Sequence, residues 1–124
     1  MGAVSGEGSA LVSGSAVWEA THFRVGTLST ASATARVRAS GGAPGSTSKL
    51  QNLVFGAGGR VDLTDNDLAL DYTGGSPIGT VPTNILSAFA GGAWTGTGLG
   101  SSSAAAAAPS NDKTGLGYVE ATDL

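Results

Sequence analysis

Asp62, Asp65, Asn66, Asp67 and Asp71 crowd oxygen donors into one short stretch of the chain. Oxygen-rich turns of this kind can hold calcium. Asp65-Asn66-Asp67 alternates carboxylates as a helix-loop-helix calcium site would. However, Leu70 stands where that loop needs glycine, and no glutamate closes it. Alternation offers a plainer role. With Val61, Leu63, Leu68 and Leu70 facing a core, Asp62, Asp67 and Asp71 project to solvent while Thr64-Asp65-Asn66 makes a turn. The expectation is no cofactor, with calcium on Asp62, Asp65, Asp67 and Asp71 as the alternative.

Other residue types point to less chemistry. His22 is the only histidine, so a His-based metal cluster is excluded and a Ser-His-Asp triad would have to use it. No Gly-x-Ser-x-Gly elbow supports such a triad, and His22 reads as a surface or edge residue on the outer side of a short strand. Gly42-Ala43-Pro44-Gly45-Ser46-Thr47-Ser48-Lys49-Leu50 imitates a phosphate loop but has Ser48 in place of glycine before the lysine. Leu50 replaces the hydroxyl that would hold magnesium. Gly96-Thr97-Gly98-Leu99-Gly100 is read as lacking the strand before and helix after it that a dinucleotide site needs. Paired-carboxylate hydrolysis needs a desolvated pair, which a small, thinly cored domain is poorly suited to provide. The catalytic expectation is therefore none, with a glycan-active hydrolase fragment as the alternative. Trp18, Trp94, Tyr72 and Tyr118 could make a sugar-stacking platform, since aromatic rings offer flat apolar faces with a polar handle. In a chain short of large apolar groups the same four also serve as core or cap residues.

Composition limits what can position these groups. Gly, Ala, Ser and Thr supply 69 of the 124 residues and Leu, Ile, Val and Phe only 25, so any core is thin. A net charge of −3 is too small for the charge-driven disorder that such a composition otherwise suggests. Repetitive β structures that stack small residues closely suit it better. Six basic residues against nine acids give no nucleic-acid footprint. No apolar stretch approaches the roughly 20 residues of a membrane span. Cysteine is absent, which rules out disulfides and thiolate metal sites. Met1 to Glu7 lacks a basic region followed by an apolar run, so no signal peptide is expected in this chain.

Short alternating runs fill the first half. Phe23 and Val25 alternate with His22 and Arg24, and Val37 sits between Arg36 and Arg38, the period-two pattern of half-buried strands. Leu50 to Phe55 and Arg60 to Tyr72 continue it, with glycine-rich turns at 41–46 and 56–59. Arg36-Val37 and Arg60-Val61 follow similar small residues 24 positions apart, about the length of one solenoid coil. After Tyr72 the pattern changes. Ser76-Pro77 reads as a helix start, and Ile78, Val81, Ile85, Leu86 and Phe89 follow at helical spacing. Pro82 delays regular helix to near Thr80, and Gly91-Gly92 stops it. Ser101–Ala108 suggests a brief alanine helix ended by Pro109, and Gly115–Val119 a last strand. The predicted fold is mainly β, a β-solenoid-like or other regular β architecture with one short amphipathic helix as cap. It forms a single β-rich domain or fragment over 1–124, with strand and turn coils over 1–72 and a helix-bearing, Gly/Ala-rich cap over 73–124.

Residues 59–124 carry Val61-Asp62-Leu63-Thr64-Asp65-Asn66, Asp71-Tyr72-Thr73-Gly74, Ser76-Pro77, Gly91-Gly92-Ala93-Trp94-Thr95-Gly96, Ser102-Ser103-Ala104-Ala105-Ala106-Ala107 and Gly115-Leu116-Gly117-Tyr118-Val119-Glu120-Ala121. In order and spacing this resembles the C-terminal segment of planctomycete-type secreted β-solenoid proteins with autotransporter-associated β-strand repeats. The first 55 residues share only the style. The resemblance implies a solenoid ending in a helix-bearing cap, exported to the extracellular space or cell surface, with no chemistry assignable to particular residues. Pro82 departs from the regular helix it implies, and the sequence stops at Leu124 before any dockerin-like calcium loops. The functional expectation is a non-catalytic extracellular or cell-surface structural segment that self-assembles into fibres. The alternative is a carbohydrate-binding module using exposed aromatics. Its partners would be itself, as a homo-oligomer or fibre, or adjoining coils of a parent protein, with glycans under the alternative. Ser5 to Val17 holds one charge, Glu7, and no proline, so this N-terminal edge is the expected site of self-association.

Overall fold

Period-two alternation becomes nine strands in a computed structural model that describes residues 2–6, 8–111 and 113–121. In chain order they are β1 (Val4–Ser5), β2 (Ser9–Ser13), β3 (Val17–Ala20), β4 (Phe23–Ala31), β5 (Thr34–Val37), β6 (Ser48–Phe55), β7 (Arg60–Asp62), β8 (Leu68–Leu70) and β9 (Gly98–Gly100). Two sheets share them. One runs β1-β4-β6-β8, with β2 also on β4, and the other runs β3-β5-β7-β9, all pairs being parallel.

In-register pairing stacks like on like. Trp18, Ala35, Val61 and Leu99 form one inward column on the second sheet. On the first sheet Ala10, Leu28 and Leu53 form another, and Val25, Leu50 and Leu70 a third. These columns meet between the sheets in one core that includes Phe23, Leu28, Val37, Leu50 and Val61, each at most 1% exposed. Burying a side chain of this size stabilises by about 1.5–3 kcal/mol, so a few such residues carry the apolar driving force.

The expected mainly β, solenoid-like architecture with a helical cap is corrected here. The fold is α/β-like, with two sheets of parallel strands and 21% helix. Helix is not confined to a cap after the strands, because α1 lies within the path of the sheets. After β8 come a 3-10 turn at Pro77–Gly79 and then α1 (Val81–Phe89), and only afterwards does the chain re-enter the second sheet as β9. Pro82 falls in the first turn of α1, where the missing amide would have had no helical partner, so it starts the helix instead of breaking it. A second helix, α2 (Ser102–Ala107), follows β9, its first turn capped by the Ser101 hydroxyl accepting from Ala104 N–H at 3.0 Å. Gly115–Val119 forms no strand.

The glycines of 96–100 explain where α1 sits. A methyl at Gly98 would stand 2.5 Å from the Asn84 carbonyl, one at Gly100 would stand 3.1 Å from Ala88 Cβ, and one at Gly96 would run into the Ser87 carbonyl. Bare backbone lets the helix lie directly on β9, and Gly96 N–H donates to Ala88 O at 3.1 Å. Gly98 also has φ +104°, a conformation that strains any side chain. Gly98→Ala is expected to lower stability by about 2–4 kcal/mol, combining backbone strain and overpacking. Gly45→Ala, where nothing lies within 4 Å, should stay within about 0.5 kcal/mol. Urea denaturation followed by circular dichroism reads both.

Candidate functional site

Asp62 sits deepest of the predicted calcium candidates. Its side chain lies on the outer face of the second sheet, as alternation requires, yet it is 0% exposed, which corrects its expected projection to solvent. The start of α2 covers it. Asp62 Oδ1 accepts from Ser102 N–H at 2.8 Å and from Thr64 N–H at 3.0 Å, and Oδ2 accepts from Arg36 Nε at 2.8 Å. Burial alone would push this carboxyl up. The Ser102 and Thr64 amides and the Arg36 guanidinium outweigh burial and hold it below its ordinary value. The carboxylate thus ties β5, the turn after β7 and α2 together.

The other three acids lie apart from it. Asp65 accepts from Ser40 N–H at 2.9 Å and Gly41 N–H at 2.7 Å, pinning the 40–43 turn, and these donors hold its carboxyl low. Asp71 pairs with Lys49 at 3.1 Å, and Asp67 is exposed. Among the described residues no group of three or more His or carboxylate side chains is arranged to hold a metal ion. Asn66, grouped with these acids by sequence, is buried and donates to Arg38 O at 2.9 Å.

His22 has Ser5 Oγ at 3.3 Å from Nε2 and the Gly45 carbonyl 3.1 Å from Nδ1. A backbone carbonyl therefore occupies the place that an aspartate takes in a triad. Of the phosphate-loop look-alike, Pro44–Ser46 is a 3-10 turn and Ser48–Phe55 a strand, so no helix follows Lys49. Gly98–Gly100, by contrast, is itself a strand followed by α2, but its glycines serve the approach of α1.

The aromatics are dispersed. Trp94 is 5% exposed, edge-on to Phe89 at 5.2 Å, and the segment after α2 crosses its ring at Gly115, so it offers no free face for a sugar. Trp18 is on β3, and Tyr118 lies in the segment 113–121. Tyr72 donates its hydroxyl to Glu120 at 2.5 Å, and Ser76 donates to the same carboxylate. The Ser76 and Tyr72 hydroxyls hold the Glu120 carboxyl below its usual range, and Glu120 in turn raises the Tyr72 phenol.

This latch spans a cavity of about 1240 Å³ at the end of the core. Leu63, Leu68, Leu70 and Leu99 line its floor, Val81 and Ile85 of α1 one wall, and Leu116 to Ala121 the other. Asp65, Asp67, Asp71 and Glu120 contribute to its lining, and no Lys, Arg or His does. Tyr72 and Tyr118 both line it, a placement that neither a core or cap role nor a stacking platform anticipates. No local spacing could have joined Tyr72 to Glu120, because 48 residues separate them.

Comparison with family models, with curated proteins and with solved structures finds no match. No helix is long and apolar enough to cross a membrane among the described residues.

Asp62→Asn is expected to cost about 2 kcal/mol at neutral pH, the scale of hydrogen bonds to a charged group. Arg36 is partly exposed and can be rehydrated, so the loss should stay below that of a fully buried pair. Because the folded carboxyl lies below the ordinary value of 3.8, its contribution is present above that pH and lost as pH falls through the folded value. Urea midpoints between pH 7 and 2 should therefore fall less steeply at the acid end for Asp62→Asn than for wild type.

Proposed function

We propose that this chain is a non-catalytic structural segment that associates through the free edges of its first strands, in the extracellular or cell-surface setting suggested by the sequence resemblance. One observation carries the reading. Trp18 begins the inward column Trp18, Ala35, Val61 and Leu99, whose other members are 0%, 1% and 5% exposed, whereas Trp18 is 44% exposed. A residue that faces the core along its sheet thus presents its ring at the open end of that core.

Backbone polarity adds to this. Gly8 O accepts from Gly26 and Thr27, and Ala16 O and Ala20 O accept from Thr34 and Arg38. In a parallel ladder alternate residues turn to opposite sides, so Leu11, Val17 and Glu19 direct their peptide groups away from the sheets. Leu11 and Val17 are also 69% and 52% exposed. Such an edge templates further strands.

A second copy offering the same edge about a twofold axis satisfies both edges at once and closes as a dimer. Head-to-tail growth is less favoured. It would bring an edge with no Lys or Arg before Arg24 against the carboxylate-lined cavity at the far end. In a longer parent, preceding strands of like sequence would take the same edge.

Analytical ultracentrifugation is expected to show a species of twice 12.0 kDa that dissociates on dilution. Leu11→Pro, which removes an outward amide without touching a bond to β4, and Trp18→Lys should each give monomer. A wild-type monomer up to millimolar concentration would overturn the reading, and so would a dimer that ignores both substitutions.

A further inference from the structure

The cavity described above has a free strand along its floor. Ser48 N–H donates to Asp67 O and Asp71 N–H to Leu50 O, so residues 67, 69 and 71 turn their peptide groups to β6. Leu68 and Leu70 consequently aim theirs at the cavity. Among the described residues no backbone hydrogen bond joins 113–121 to β8, although that segment forms the opposite wall. An extended chain entering between them would find a ladder to join and the end of the Val25, Leu50 and Leu70 column to continue.

Charge selects what could enter. Lys49 neutralises Asp71, but Asp65 is held by backbone amides and the Thr64 hydroxyl and Glu120 by neutral hydroxyls, and Asp67 is exposed. Three carboxylates therefore remain uncompensated around an apolar floor with no basic residue in the lining. A second copy is a poor occupant. Its own free edge, formed by the strands before Phe23, carries Glu19 and no Lys or Arg to meet the carboxylates.

We infer that the β8 edge is a docking site for an extended peptide segment with apolar side chains at alternate positions and Lys or Arg between them, bound by parallel strand addition. Alternate apolar residues would cover Leu68 and Leu70, and the basic residues would face the carboxylates. This edge is at the opposite side of its sheet from β1 and β2, so the inference stands apart from the proposed self-association.

Fluorescence anisotropy on the full chain tests it with three labelled eight-residue peptides: alternating Lys-Val, alternating Glu-Val, and Lys-Val with alternate amides N-methylated. Saturable binding of the first is expected, with the second and third at least tenfold weaker, and Asp67→Lys weakening the first at least threefold. Equal binding of the methylated peptide would reduce the effect to surface charge and overturn strand addition. Equal binding of Glu-Val, or no binding of Lys-Val at millimolar concentration, would overturn the site. Preferential binding of a peptide with the sequence of residues 9–20 would give the groove to a second copy and overturn the cationic partner. If Asp67→Lys fails to fold by circular dichroism, the three peptides on wild type still decide.

Discussion

Parallel, in-register pairing is the constraint on which the rest of this molecule depends. Large apolar side chains are few, so they must be used where each covers another, and the register places them in columns between the two sheets. A one-residue slip would turn every column outward and leave no core. The same pairing has a cost at each end. An inward column must stop somewhere, and its last member keeps one face open, as Trp18 does at one end and half-buried Leu70 does beside the cavity at the other.

Polar groups reinforce that register from outside. Glu19, Arg36 and Asp62 follow one another across the outer face of the second sheet, with Arg38 reaching Glu19 at 3.1 Å and Arg36 reaching Asp62 at 2.8 Å. The Glu19 pair is exposed and adds little. The Asp62 pair differs because two backbone amides share the carboxylate, so each segment it holds keeps a buried donor satisfied. A chain with so few charges has placed one of them where it fixes the docking of a helix.

Strands were the most legible part of the sequence. Alternation around Phe23, Val25 and Val37 and the apolar run from Leu50 mark β4, β5 and β6, because one buried face leaves a period of two. The relation between elements was not legible. Alternation cannot say which strands pair, and the glycine-rich stretch around Gly98 looked like a loop since its function is to lack side chains. Alternation puts Asp62 on the outer face, but nothing near it announces that α2 will lie there and shield it from water. Tyr72 and Glu120 meet only through the fold, and the cavity they border is a property of the end of the core that no local motif encodes.

The insertion of α1 between β8 and β9 has a consequence for how the chain tolerates change in length. Val17 and Thr34 pair across 17 positions, and Val61 and Leu99 across 38. Closing a loop roughly twice as long costs only about 0.6 kcal/mol more. That is less than the contribution of one buried leucine, so the longer path is easily offset once Leu99 reaches the core. The stretch from Thr73 to Gly75, exposed and lying ahead of the Ser76 latch and the turn that leads into the helix, is therefore where residues could be added or removed at least expense to the fold. The segment from Gly96 to Gly100 has no such latitude, because a shift by one position would set Leu99 against the backbone of α1.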